Sequence, residues 1–295
     1  PRSGTTHLLN LMASDSRLKS LPYWETLRPF PENLINSSHD EDLRQETAFK
    51  EYDSFLQTMP LLKSMHDMHP NHIHEEIELQ AMDFSTYLPE WLAYVPEWRD
   101  YYLAHDQIDH YKYLREILKA MQFIKGPKKW VLKSPQHLEQ ISPLLRTFPD
   151  ATFVITYRDP LSVVLSTSTM LSYGDRVRRY KVEPKNNFHY WQNRIKVLLE
   201  TFAKSYELIP LNQRCDIFFN DLIKSNLKAV KRIYSKNSLE FNQLTNDEMR
   251  KYINSHQRGK HGQVTYDLDN FGADKSEFYK NFEFYFKQFN VLKEI

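Results

Sequence analysis

Cysteine is almost absent from this chain. Its 295 residues carry one, Cys215, which rules out an internal disulfide framework and thiolate zinc sites. A single thiol fits a reducing compartment, and a cytoplasmic location is the expectation. Net charge is nearly absent as well: 39 Lys and Arg against 38 Asp and Glu leave +1. No bulk field draws the protein to nucleic acid or to a membrane surface. No apolar run reaches the roughly 18 residues that a bilayer span needs, and no secretory signal is visible. Histidine is plentiful, but the group His66, His69, His72 and His74 lacks the HExxH spacing. It reads as a solvated or substrate-facing loop, and no metal is expected. Internal repeats, low-complexity tracts and a clear linker are also missing, so one domain over residues 1–295 is expected.

What is present starts at the first residue. Pro1-Arg2-Ser3-Gly4-Thr5-Thr6-His7 runs directly into the apolar positions Leu8, Leu9, Leu11 and Met12. A short loop with one glycine and a cation, feeding a helix, suits a phosphate. The first N–H groups of a helix have no internal partner, and its macrodipole favours an anion there. Gly4 permits close backbone approach, and the Arg2 fork matches phosphate or sulfate oxygens. An ordinary capped loop is the alternative for this stretch taken alone. A phosphate loop normally follows a strand, so a strand upstream of Pro1 is expected.

Further along, helical spacing marks residues 5–14, 40–70, 75–88 and 90–124, the last broken at Pro96. The aromatic residues in 84–123 suit either core packing or an acceptor pocket. From Lys129 the pattern alternates. Lys129–Leu132 reads as a strand, followed by Ser134 as a cap, Pro135 at the first helical position and a helix. Ala151–Tyr157 is a β-branched, aromatic strand, and Asp159-Pro160 opens the next helix. Residues 188–208 form an amphipathic helix, Cys215–Phe219 a strand, and 221–236, 246–256 and 275–289 helices, with Asp221 as a cap. Strand, turn and helix in alternation imply a parallel sheet with ligands at its carboxyl end.

Four separated stretches share one chemistry. Lys133 and Ser134 end one strand, and Arg158 ends the next. Ser166 follows eight residues later, about two turns into a helix. Arg258-Gly259-Lys260-His261-Gly262 is a second candidate anion nest. Together they suit a ligand with phosphate groups at two positions. This set resembles the sulfotransferase superfamily, bacterial branch, over nearly the whole chain. Pro1–Thr6 looks like its 5′-phosphosulfate loop, and Arg158 with Ser166 like its 3′-phosphate pair. Arg258–Gly262 is similar to its late Arg-x-Gly-x-x-Gly loop with one residue fewer. The resemblance implies an α/β, P-loop NTPase-like three-layer fold, a central parallel sheet flanked by helices, with a helical acceptor-side insertion over about 40–124. It also implies 3′-phosphoadenosine 5′-phosphosulfate as co-substrate, with Arg2, Ser3, Gly4, Thr5, Thr6, Arg158, Ser166, Tyr234, Arg258, Gly259 and Lys260 at the nucleotide.

The sequence lacks the Gly-Lys-Ser/Thr of a Walker loop, since Thr5 follows Gly4. Sulfuryl transfer needs no metal in principle, because Arg2, Lys133 and backbone N–H donors suffice to stabilise developing charge. An acceptor hydroxyl does need a base. The resemblance to tyrosylprotein and heparan sulfotransferases, which carry a glutamate twenty to thirty residues past the loop, points to Glu25. His74, Glu75 and Glu76 are the second choice and His137 the third. A small-molecule kinase and a non-catalytic nucleotide- or glycan-binding module are the competing readings. The acceptor is a glycan or a small alcohol or phenol.

Overall fold

Alternating β-branched and aromatic residues fix two strands at the centre of the molecule. In the computed structural model, which describes residues 1–31, 43–257, 264, 266 and 268–295, β3 (Phe153–Tyr157) pairs in parallel with β4 (Arg214–Phe218). The register runs from Phe153 opposite Arg214 to Tyr157 opposite Phe218. β3 begins two residues later than its sequence pattern, because the Ala151 N–H closes a turn onto the Phe148 carbonyl at 3.1 Å. A second parallel pair joins β1 (Leu18–Lys19) to β2 (Lys129–Trp130). Parallel pairing requires long crossovers, and helices supply them, so the protein is a predominantly helical α/β structure with two small parallel sheets among the described residues.

Both faces of β3 are covered. Val154 packs on one side with Leu8, Leu11 and Met12 of the helix Thr5–Ala13, which also contacts Leu18, Cys215 and Ile217. Ile155 and Tyr157 pack on the other with Phe188, Ile195, Leu198 and Phe202 of the helix Pro184–Ser205 and with Tyr285 and Phe289 from the tail. Each such large side chain contributes about 1.5–3 kcal/mol when fully buried. The helix at the loop is thereby held rigidly against the carboxyl end of β3 and β4.

Several helices divide where sequence periodicity reads one. The 221–236 stretch forms Phe219–Lys224 and Asn226–Lys236, broken at Ser225. The tail forms Lys275–Asn281 and Glu283–Phe289, broken at Phe282, whose buried ring stacks on Phe278 at 4.6 Å. After Ser134 the chain makes a 3-10 turn, Pro135–Glu139, before the helix Ile141–Thr147. Ser134 does not cap it by side chain: its buried Oγ has no hydrogen-bond partner. Asp159 does cap its helix, Pro160–Asp175, accepting from the Leu161 N–H at 3.0 Å. Asp221 sits inside the first turn of its helix. Between residues 43 and 125 run the helices Leu43–Thr58, Leu62–Met65, Ile77–Ala81, Leu88–Leu92, Pro96–Ala104 and Ile108–Lys125. The expected helix over 75–88 ends early, and Phe84 adopts a positive φ of 51°. Tyr87, Tyr102 and Tyr111 from this region are core residues.

One buried ion cluster locks the region to the rest. Arg194 in Pro184–Ser205 donates through Nε to Glu90 at 3.0–3.1 Å and through Nη1 and Nη2 to Glu139 at 2.9 and 2.7 Å. All three side chains are essentially solvent-free, at 2%, 0% and 1% exposure.

Candidate active site

The loop takes the shape its glycine allows. Gly4 is the N-cap of Thr5–Ala13 in the left-handed region, φ 81°, and Arg2 also has positive φ, 54°. The first intrahelical bond runs from the Leu8 N–H to the Gly4 carbonyl at 3.1 Å. The N–H groups before Leu8 therefore have no intrahelical acceptor and face outward at the positive end of the helix dipole. A Cβ at Gly4 would meet Leu222 and Phe219 at 3.1 Å. Ser3 and Thr156 share a 2.6 Å hydroxyl–hydroxyl hydrogen bond, which pins the loop to β3.

Three cations gather there. Arg2 donates through Nε to Ser166 Oγ at 2.9 Å and through Nη2 to the Met65 carbonyl at 2.7 Å. Burial first, with Arg158 adding, pushes its guanidinium below the ordinary value. A cation held so far from water favours an anionic ligand. Arg158 donates through Nη1 to the Arg2 carbonyl at 2.8 Å and lies 4.0 Å over the Phe219 ring. Its Nε and Nη2 donate to Glu294 at 3.0–3.1 Å. Lys133 Nζ reaches Thr6 Oγ1 at 3.4 Å and pairs with Glu75. Ser166 Oγ accepts from both Arg2 Nε and the Tyr266 hydroxyl, each at 2.9 Å. Both lone pairs are thus engaged, and its own O–H is left to donate. Tyr266 carries no signal in the sequence that points to this site.

A buried relay supports Lys133 from behind. Its backbone N–H donates to Glu76 Oε2 at 2.9 Å, Glu76 Oε1 bonds His137 Nε2, and His137 Nδ1 bonds the Tyr111 hydroxyl at 2.8 Å. Burial pushes the Glu76 carboxyl up, but His137 and the Lys133 N–H outweigh it and hold it below its ordinary value. His74 pairs with Glu78 at 3.1 Å. Burial lowers His74, and the Glu78 charge more than reverses that. His66 lies 5.3 Å from His74 between ring centres, and burial first, with the His74 charge adding, lowers its imidazole well below the ordinary value. Among the described residues no three His, Cys, Asp or Glu side chains converge as metal ligands.

Glu25 and Tyr234, also expected at the site, are engaged in other contacts. Glu25 is buried in the helix Tyr23–Leu27 and is ion-paired with Lys125, whose ammonium lies 5.0 Å over Trp24. Tyr234 is fully buried under the loop helix, its hydroxyl donating to Asp15 at 2.9 Å. A ring with no exposed face offers an adenine nothing to stack on. Arg258, Gly259 and Lys260 lie outside the described residues. Apart from the loop residues, Tyr94, Arg179, Asn186, His189, Tyr190 and Asn193 line a cavity of about 510 Å³.

A glycine-turned loop, a helix start and the cations Arg2, Arg158 and Lys133 thus stand together, and comparison gives the chain a family. The model of the sulfotransferase family matches residues 1–243. This chain belongs to the sulfotransferase family. Sulfotransferase STF9 from Mycobacterium avium superposes with a TM-score of 0.84 at 20% identity, over 100% of this chain and 76% of that one. Sulfotransferase STF1 from Mycobacterium tuberculosis H37Rv superposes with a TM-score of 0.78 at 22% identity, over 95% of this chain and 73% of that one. No curated protein matches. The sulfotransferase assignment and the shared fold support an enzyme of that class. No helix among the described residues is long and apolar enough to cross a membrane.

Proposed function

We propose that this sulfotransferase moves the sulfuryl group of 3′-phosphoadenosine 5′-phosphosulfate to a hydroxyl acceptor. The convergence of Arg2, Arg158 and Lys133 on one loop carries the reading: three cations and a row of free N–H groups fit a ligand with negative charge at two positions. Arg2 and the N–H groups of residues 3–6 hold the 5′-phosphosulfate. Arg158 and the free O–H of Ser166 take the 3′-phosphate. Lys133, beside Thr6, stabilises the charge that builds on the bridging oxygen. The acceptor oxygen bonds to sulfur as the sulfur–bridging-oxygen bond breaks, and the acceptor proton passes to a carboxylate.

Geometry favours Glu75 for that proton. Glu75 is bound to Lys133, which touches the loop, whereas Glu25 is committed to Lys125. A base must first lie within reach of the reacting atoms. The acceptor side is built from the aromatic helices of residues 43–125 and suits a hydroxyl compound such as a glycan or phenol. Glu75→Gln and Glu25→Gln, assayed side by side, test the assignment. Glu75→Gln should lower kcat about 10²–10⁴-fold and keep nucleotide binding. A loss confined to Glu25→Gln returns the role to Glu25, and absence of product from the unaltered enzyme on a broad acceptor panel removes the catalytic reading.

A further inference from the structure

The carboxylate of Glu294 grips the arginine that the donor reading assigns to phosphate. Arg158 offers two edges for bidentate recognition of an oxyanion. Glu294 takes the Nε–Nη2 edge with contacts of 3.0–3.1 Å. On the other edge, Nη1 is spent on the Arg2 carbonyl at 2.8 Å. The guanidinium carbon also lies 4.0 Å from the centre of the Phe219 ring. A phosphate arriving at Arg158 meets a carboxylate already in its place.

The tail is held there independently of that pair. The Glu294 N–H donates to Asp159 Oδ2 at 2.8 Å, and the Tyr279 hydroxyl donates to the same oxygen at 2.9 Å. Asp159 is fully buried and also caps its own helix. Val291 is buried in the large aromatic cluster. The backbone at residue 294 is therefore fixed, while the Glu294 side chain, 17% exposed, lies at the water boundary. Rotation of that one side chain exchanges a carboxylate for a phosphate without moving the tail.

We propose that Glu294 is a competitor built into the donor site: its carboxylate stands in for the 3′-phosphate on Arg158, and nucleotide binding must displace it. The inference rests on the donor reading given above. Two consequences follow. Arg158 is compensated when the site is empty, which spares it a desolvated, unpaired charge. The returning carboxylate also helps to expel the bisphosphate product, so Glu294 lowers nucleotide affinity selectively at the 3′-position.

Calorimetry on the whole chain separates the possibilities. The ligands are 3′-phosphoadenosine 5′-phosphate and its 3′-dephosphorylated form, adenosine 5′-phosphate. Glu294→Gln keeps the size of the side chain and the backbone tether. It should tighten the bisphosphate about tenfold, the worth of one charge-assisted pair, and leave the monophosphate within about twofold. Glu294→Ala should behave alike. Equal bisphosphate affinity in all three proteins, with the monophosphate still binding more weakly, overturns the proposal and leaves the donor reading standing. Tightening of both ligands alike overturns it too, because the effect is then not at the 3′-position. Failure of every protein to distinguish the two ligands overturns the donor reading and this inference with it.

Discussion

Arg194 and Arg158 are both gripped by carboxylates, in opposite surroundings. Arg194 is enclosed by Glu90 and Glu139, with every partner at or below 2% exposure. Arg158 has one carboxylate, Glu294, and both sit at the water boundary at 16–17%. The first pair of contacts cannot exchange with a ligand, because nothing can enter. On the donor reading the second can, because its acid lies at the water boundary. Burial and the number of acids, more than the distances, separate a structural lock from a ligand site.

The largest effect tests the lock. Arg194→Met should cost about 3–5 kcal/mol of stability, since it leaves two buried acids without a counter-charge. Urea unfolding measures it, and a loss under about 1 kcal/mol would erase the distinction. Arg158→Met is the counterpart. It should cost only about 1 kcal/mol, yet weaken 3′-phosphoadenosine 5′-phosphate about 10–100-fold while sparing adenosine 5′-phosphate. Equal losses for both nucleotides would detach Arg158 from the 3′-phosphate.

A third pair sharpens the scale at its small end. Asp15 is buried, while its partner Arg17 is 35% exposed. Burial pushes the Asp15 carboxyl up, but hydrogen bonds from Arg17 and then Tyr234 outweigh it and bring it down to about 2 from 3.8. The folded value lies below the unfolded one, so this stabilisation is complete above about pH 4 and is lost as pH falls through about 2. Asp15→Asn should flatten the pH dependence of the unfolding midpoint in that window and leave it unchanged elsewhere. An unaltered slope would mean that other acids carry the effect.

Local signals in the sequence were enough for the parts built from neighbours. The loop helix shows itself through Gly4 and the apolar run after it, and β3 through its β-branched residues. Fold class follows from the same alternation, and the match to sulfotransferase structures agrees with it. Contacts between distant residues stayed hidden. Glu294 lies 136 positions from Arg158, and Tyr266 lies 100 from Ser166, so no periodicity connects them. Tyr234 and Glu25 illustrate a different limit. Their residue types suit stacking and proton transfer, but burial under the loop helix and the pairing with Lys125 are products of packing. The breaks at Ser225 and Phe282 were invisible for the same reason, because both sit inside runs of good helical spacing.

Phe219 connects two of these observations. Its ring edge is what a Cβ on Gly4 would strike, and its face carries the Arg158 guanidinium at 4.0 Å. One aromatic ring thus backs both the glycine of the loop and the arginine bonded to it, as a shim backs two parts that already touch. On the donor reading, swapping it for a leucine would keep Arg158 and the loop but change how they stand to one another, and the protein would then measure its nucleotide with the wrong ruler.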